Sequence, residues 1–229
     1  MTERPTLDVE TAITGRRSIR RFLTDPVPRE VIEDILAVAA RAPSGANMQP
    51  WRVHVVTGEA RRRVGEAVAQ AAERGERSPD YAYYPDDWFE PYRSRRRKIG
   101  FALYDLLGID RADEAAREAQ SRRNFVFFDA PVGLFVFVDR RLNLGSWLDC
   151  GMFLQNLCLA ARACGLETCA QASWVPYAGT VRAALGIDDG AALLSGVALG
   201  HPDPEAPENA LTTERAAPAA FTTWHGDAS

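Results

Sequence analysis

The sequence predicts one domain in which helices alternate with short strands, and three observations carry that expectation. The chain has 229 residues with 46% hydrophobic content, enough for one substantial core and too little for two. Residues 28–40 place Val31, Ile32, Ile35, Leu36 and Ala39 at helical spacing. Residues 131–139 (PVGLFVFVD) form a nearly continuous apolar run of the kind a buried central strand needs.

The elements follow in order. A short helical stretch leads to Arg16. The helix at 28–40 has Pro28 suited to its first turn and Pro43 closing its far end. WRVHVVT at 51–57 is rich in strand formers, and Gly58 separates it from a polar helix at 59–73. Residues 75–97 mix Pro79, Pro85 and Pro91 with Tyr81, Tyr83, Tyr84, Trp88, Phe89 and Tyr92, a composition that matches neither period and predicts a loop or lid. Helices are expected at 98–107 and 113–125. Residues 148–163 are apolar on most faces, which predicts a central helix packed on several sides. Two further strands, 166–173 and 191–200, flank a helical segment at 178–185. The tail beyond Gly200 is rich in Pro and Ala and predicts an extended arm.

Several function classes are demoted. A formal net charge of -4 argues against a general nucleic-acid binder. No apolar run approaches the roughly 20 residues needed to span a bilayer, and the N-terminus (MTERPTLDVE) lacks the apolar centre of a signal peptide. Cys150, Cys158, Cys164 and Cys169 lack CxxC spacing and read as reduced, buried thiols of a cytoplasmic protein. His54, His201 and His225 are scattered, so no metal site is expected. GxSxG, GxxxxGK[ST] and GxGxxG are all missing. A chain so poor in acid, base and nucleophile candidates suits an enzyme whose bound cofactor carries the chemistry.

Two segments point to that cofactor. Arg16-Arg17-Ser18-Ile19-Arg20 offers three guanidinium groups and a hydroxyl within five residues; it reads either as a phosphate site or as a solvated basic helix end. Ala42-Pro43-Ser44-Gly45-Ala46-Asn47-Met48-Gln49-Pro50-Trp51 reads either as an ordinary helix-to-strand turn or as a fixed loop presenting Ser44, Asn47 and Gln49 to a ligand.

This pairing, RRSIR and APSGANMQPW separated by one amphipathic helix, closely resembles the opening of the nitroreductase-like FMN proteins. DCGMFLQNLCLAARACGL at 149–166 resembles their long central helix, and 196–215, with its GHP and NALTTER stretches, resembles their C-terminal segment. The resemblance implies an α+β sandwich, a mostly antiparallel sheet covered by helices, over the whole of 1–229, with a lid-like insertion around 76–98 and a C-terminal arm around 201–229. It implies a homodimer with shared active sites across the long central helix.

By the same resemblance, Arg16, Ser18, Arg20 and Arg215, assisted by Arg17, hold the FMN phosphate and ribityl chain. Pro43, Ser44 and Asn47 line the flavin cavity from the partner subunit. Gln171, Ala172 and Ser173 present backbone N–H groups to the isoalloxazine. NADPH or NADH reduces FMN and is replaced by a nitroaromatic, quinone or related acceptor in ping-pong exchange, with Trp88 and Tyr92 stacking on the acceptor. Three alternatives share the same openings: a reductive dehalogenase, for which the lid lacks a clear Glu-Tyr-Lys constellation, a flavin-cleaving relative, and a non-catalytic flavin-binding module.

Overall fold

A computed structural model describes residues 7–226. Part of the MTERPTLDVE segment, and the outermost ends of the 1–229 domain and the 201–229 arm, lie outside the described residues.

The elements run α1 (Val9–Gly15), α2 (Arg29–Ala39), β1 (Trp51–Thr57), α3 (Gly58–Glu73), α4 (Tyr92–Leu106), α5 (Glu114–Arg122), β2 (Val132–Asp139), α6 (Leu144–Ala163), β3 (Glu167–Gln171), α7 (Ala178–Leu185) and β4 (Ala191–Gly200). The four strands form one sheet in the order β1-β2-β4-β3, and every neighbouring pair is antiparallel. Strand alternation sends successive side chains to opposite faces. Thus Phe135 and Phe137 of β2 join a core with α3, α7 and residues 125–128, while Val132, Leu134 and Val136 join a second core with α2 and α6. Both faces are covered, which is why β2 and β4 lack the apolar–polar alternation of a half-exposed sheet. The expected α+β architecture is the one observed.

Glycines make room for the largest rings of the first core. A Cβ on Gly133 would lie 2.4 Å from the Phe127 ring, and one on Gly196 would lie 2.3 Å from Trp174. Phe127 and Trp174 stack at 4.6 Å between centroids, and both are fully buried. Phe127, Phe128 and Asp129 have φ values of 53, 53 and 70°. Left-handed backbone costs roughly 1–2 kcal/mol per such residue. Burial of both phenyl rings offsets it, as does the Asp129 carboxylate, held at 2.8 Å by both Arg21 and Arg123.

Several boundaries differ from the sequence expectation. The loop expected at 75–97 ends earlier, because α4 already begins at Tyr92. Its run of arginines is made of good helix formers, and Pro91 supplies the preceding cap position. The helix expected through 125 stops at Arg122, where residues 123–129 turn inward to bury three phenylalanines. The central helix starts at Leu144 instead of 148. The strand expected through 173 ends at Gln171, so Ala172 and Ser173 open a 3-10 turn. Cys150, Cys158 and Cys169 are buried as expected, but Cys164 at the end of α6 is only half-buried. Among the described residues no helix is long and apolar enough to cross a membrane.

Replacing Gly133 by Ala forces a methyl group into the Phe127 ring. An overpacked core site is typically destabilised by about 1–3 kcal/mol, a Tm loss of roughly 2–12 °C at this chain length. Gly100→Ala on α4, where nothing lies within 4 Å of the added carbon, is expected to raise Tm slightly. Differential scanning calorimetry of the two variants checks both signs.

Candidate functional site

After α1 the chain runs as a strap along the free edge of β3. Ser18 bridges Thr168 in parallel, and Ile19 N–H donates to the Thr168 carbonyl at 3.1 Å. Ile19 is buried in the first core, so the alternation of extended backbone turns Ser18 and Arg20 to the other side. Further on, the strap is stitched to the tail: Phe22 bridges Pro202, and Leu23 N–H donates to the His201 carbonyl at 2.9 Å.

The Asn209 carboxamide completes this junction. Its Oδ1 accepts from Arg20 N–H at 2.8 Å, and its Nδ2 donates to the carbonyls of Arg21 at 2.8 Å and Asp203 at 2.9 Å. Fixing residue 209 beside residue 20 brings the following residues back over the arginine segment. The result is a cavity of about 330 Å³ lined by Arg16, Arg17, Ser18, Arg20, Leu211, Thr213 and Arg215, with Ile99 of α4. Thus all five residues predicted to hold a phosphate share one cavity, although Arg215 lies far from the others in sequence.

The electrostatics of this cavity are unbalanced. Arg20 Nη1 donates to the Ser18 carbonyl at 3.1 Å, and Arg215 Nη1 donates to the Thr213 hydroxyl at 2.6 Å. Arg16 and Arg17 have no hydrogen-bond or ion-pair partner among the described residues. Glu167, whose charge interacts with Arg16 and Arg17, is engaged by Arg162. Burial raises its pKa while Arg162, Arg17 and Arg16 pull it down. Below the strap, burial pushes the Cys169 thiol, which Ser18 faces, up to about 11. A guanidinium has five donors in a planar fork. Unpaired forks converging on one cavity fit a phosphate dianion, and hence the terminal phosphate of FMN.

The second predicted segment is folded as a rigid loop. Ala46, Asn47 and Gln49 have φ of 50, 55 and 49°, a left-handed conformation costly for non-glycine residues. It is held from within, Ser44 Oγ accepting from Gln49 N–H at 3.0 Å, and from α6, where buried Asp149 Oδ2 accepts from Gly45 N–H at 3.2 Å. Pro43 and Asn47 are exposed and Ser44 is half-buried, and none of the three lines the arginine cavity of the same chain.

At the end of β3 the Gln171 side chain is buried. It donates to the Asn124 carbonyl at 2.9 Å and accepts from Trp174 Nε1 at 3.2 Å, so the side chain is already engaged within the protein. Ala172 and Ser173 begin the turn Ala172–Tyr177, whose leading N–H groups have no helical acceptor.

The aromatic insertion is pinned at its base. The Asp80 side chain, 2% exposed, receives Arg182 Nη1 at 2.7 Å, Leu193 N–H at 2.7 Å and the Arg140 guanidinium. A bulge between β2 and β4 leaves Leu194 unpaired, and its carbonyl accepts the Tyr81 hydroxyl at 2.9 Å. Beyond that anchor, Trp88 is half-buried between Tyr84 and the Arg96 guanidinium, whereas Tyr92 is exposed on the first turn of α4. Sequence reasoning missed Asn209, Asp149 and Asp80. Asn209 was visible inside NALTTER, but nothing local showed which residues it would join.

Known proteins resemble this chain along most of its length. The model of the nitroreductase family matches residues 13–201. The nitrobenzene nitroreductase of Ectopseudomonas oleovorans is 40% identical, over 94% of this chain and 96% of the relative. The 4-nitrobenzoate reductase of Pseudomonas putida is 39% identical over 96% of each. The crystal structure of the FMN and NADPH-dependent nitroreductase NfnB from sphigopyxis sp. strain HMH superposes with a TM-score of 0.94 at 42% identity, covering 96% of this chain and all of that one.

Asn209→Ala removes three hydrogen bonds at once and leaves the Arg20 amide and two carbonyls to find water. The expected loss of stability is roughly 1–3 kcal/mol, read as a lower urea midpoint with an unchanged m-value. An unchanged midpoint would mean that the strap holds without the tail.

Proposed function

Because the chain belongs to the nitroreductase family, we propose that it is an FMN-dependent oxidoreductase that uses NADPH or NADH to reduce nitroaromatic, quinone or related small organic acceptors. The observation that carries this reading is the convergence of Arg16, Arg17, Arg20 and Arg215 on one cavity, with two of the four guanidinium groups unpaired. Bound FMN supplies the two-electron chemistry between donor and acceptor. The four arginines and Ser18, which line one cavity, would hold its phosphate and ribityl chain. The backbone amides of Gln171, Ala172 and Ser173 are assigned to the flavin ring. Preorganised N–H donors of that kind stabilise developing charge without a titrating side chain.

The same proposal makes the protein a homodimer. Pro43, Ser44 and Asn47 are assigned to the flavin cavity of a second copy, since their loop lies apart from the arginine cavity of its own chain. Leu144 and Leu148 of α6, 78% and 70% exposed next to the Asp149 that holds the loop, support a contact between copies through this helix. Trp88 and Tyr92 are assigned to the acceptor, which their aromatic faces suit. The continuous sheet with a core on each face supports one domain over 1–229, bearing the 76–98 insertion and the 201–229 arm. Four unpaired cysteines support a reducing cytoplasm.

The protein is expected to purify yellow and to oxidise NADPH or NADH when a nitroaromatic is added. Arg16→Ala and Arg215→Ala are each expected to weaken FMN binding by about one to two orders of magnitude, the worth of a charge-assisted hydrogen bond of roughly 1.5–3 kcal/mol. Riboflavin, lacking the phosphate, is far less affected; equal losses for both flavins would withdraw the phosphate assignment.

Sedimentation of the flavin-loaded protein is expected to show a dimer that persists on dilution. A monomer that stays active and loaded would contradict the shared site.

A further inference from the structure

Next to the arginine cavity lies a second one of about 490 Å³, and the two share Ile99, Thr213 and Arg215 as a common wall. Its other cationic groups are Arg95 and Lys98, which α4 places three residues apart and therefore on one face. Thr212 and Thr213 add hydroxyls, and Ile99 and Ala102 form an apolar wall.

The charge on this part of α4 is not explained by the helix itself. Arg93, Arg95, Arg96, Arg97 and Lys98 all fall in its first half, and its first turn contains no acid. Cations there oppose the helix dipole, whose N-terminal end favours negative charge, and like charges three or four residues apart repel. Three of the five have partners: Arg93 donates to the Trp88 carbonyl, Arg96 lies 4.8 Å over the Trp88 ring, and Lys98 Nζ meets Glu214 at 2.6 Å. The Arg95 guanidinium has no hydrogen-bond or ion-pair partner among the described residues, and Arg95 lines the cavity.

The two adjoining cavities are lined by Arg16, Arg17, Arg20, Arg95, Lys98 and Arg215 against a single carboxylate, Glu214. One phosphate dianion offsets less than half of that excess. A second dianion is the complement this surface calls for, and an acceptor carboxylate, with a single charge, meets it less well.

We propose that Arg95 and Lys98 form a second anion subsite that takes the 2′-phosphate of NADPH and so favours NADPH over NADH as electron donor. The inference rests on reading the adjoining cavity as a flavin site. The 2′-phosphate is the only group by which the two donors differ. Arg95 contributes the open fork, whereas Lys98, already drawn to Glu214, contributes a weaker share.

The test uses the FMN-loaded protein and two readouts. In calorimetry, wild type binds adenosine 2′,5′-bisphosphate at least about tenfold more tightly than 5′-AMP. Arg95→Gln weakens the bisphosphate by about ten- to a hundredfold, the range for one charge-assisted contact, with little effect on 5′-AMP. Arg95→Lys retains part of the preference, and Lys98→Gln loses less than Arg95→Gln. In steady-state kinetics with nitrobenzene, Arg95→Gln raises the KM for NADPH over the same range, while kcat/KM for NADH and the affinity for FMN change less than about threefold. Equal weakening of both nucleotides would mean that the subsite meets a phosphate common to both donors, and would overturn the proposal. So would loss of FMN, an unchanged bisphosphate affinity, or a KM increase confined to 4-nitrobenzoate, which would assign Arg95 to an acceptor carboxylate. A wild type that oxidises neither donor would sink the functional reading alone, because the calorimetric preference reports on the subsite without turnover.

Discussion

The candidate site depends on a carboxamide that joins the two ends of the chain. Asn209 accepts from the amide of Arg20 and donates to the carbonyls of Arg21 and Asp203, so one side chain satisfies three backbone groups that no sheet or helix pairs. Buried backbone groups left without partners are costly. The strap at residues 18–23 is held on the edge of β3 by Thr168 and covered from outside by the tail. Arg215 therefore returns to Arg16 as a consequence of main-chain hydrogen bonding, before any charge is considered. Four guanidinium groups near one another repel, and packing holds them where electrostatics alone would separate them.

The sheet supplies the rigidity this arrangement needs. With apolar cores on both faces, β3 and β4 are fixed in position, and the strap inherits that position through Thr168. The glycines that admit Phe127 and Trp174 let residues 123–129 turn under the sheet. There Asp129 engages Arg21, the neighbour of the site arginines. Strain in the left-handed turn is thus tied to the back of the anion site. A similar logic governs the loop at 43–49, where Asp149 from α6 holds a backbone whose φ values isolated residues would avoid. The aromatic insertion has the opposite character, with a base clamped by Asp80 and Tyr81 and rings exposed beyond it.

Periodicity carried the reading of elements wherever burial was one-sided or complete. The helix near 28–40 and the strand near 131–139 lie within a residue or so of α2 and β2. It faltered where the reason for structure lay outside the segment. Residues 92–97 look like loop because their apolar partners come later in α4. Residues 123–125 look helical until the need to bury Phe127 and Phe128 reverses the backbone. Ser173 reads as strand, although β3 has already turned at Gln171 to bring Trp174 inside.

What the sequence by itself determined was composition and order: an arginine cluster after a short helix, a polar loop after an amphipathic one, apolar strands enough for a sheet covered on both faces, and, through resemblance, the family and its flavin. These are local properties, legible because each depends on residues a few positions apart. Tertiary structure alone decided that Arg215 lies beside Arg16, that the Gln171 side chain serves Trp174 and Asn124 instead of a ligand, and that Arg95 and Lys98 look into a cavity adjoining the arginines. Most of these contacts join residues about 50 to 200 positions apart and are set by how strands pair and helices pack, which no short-range pattern records.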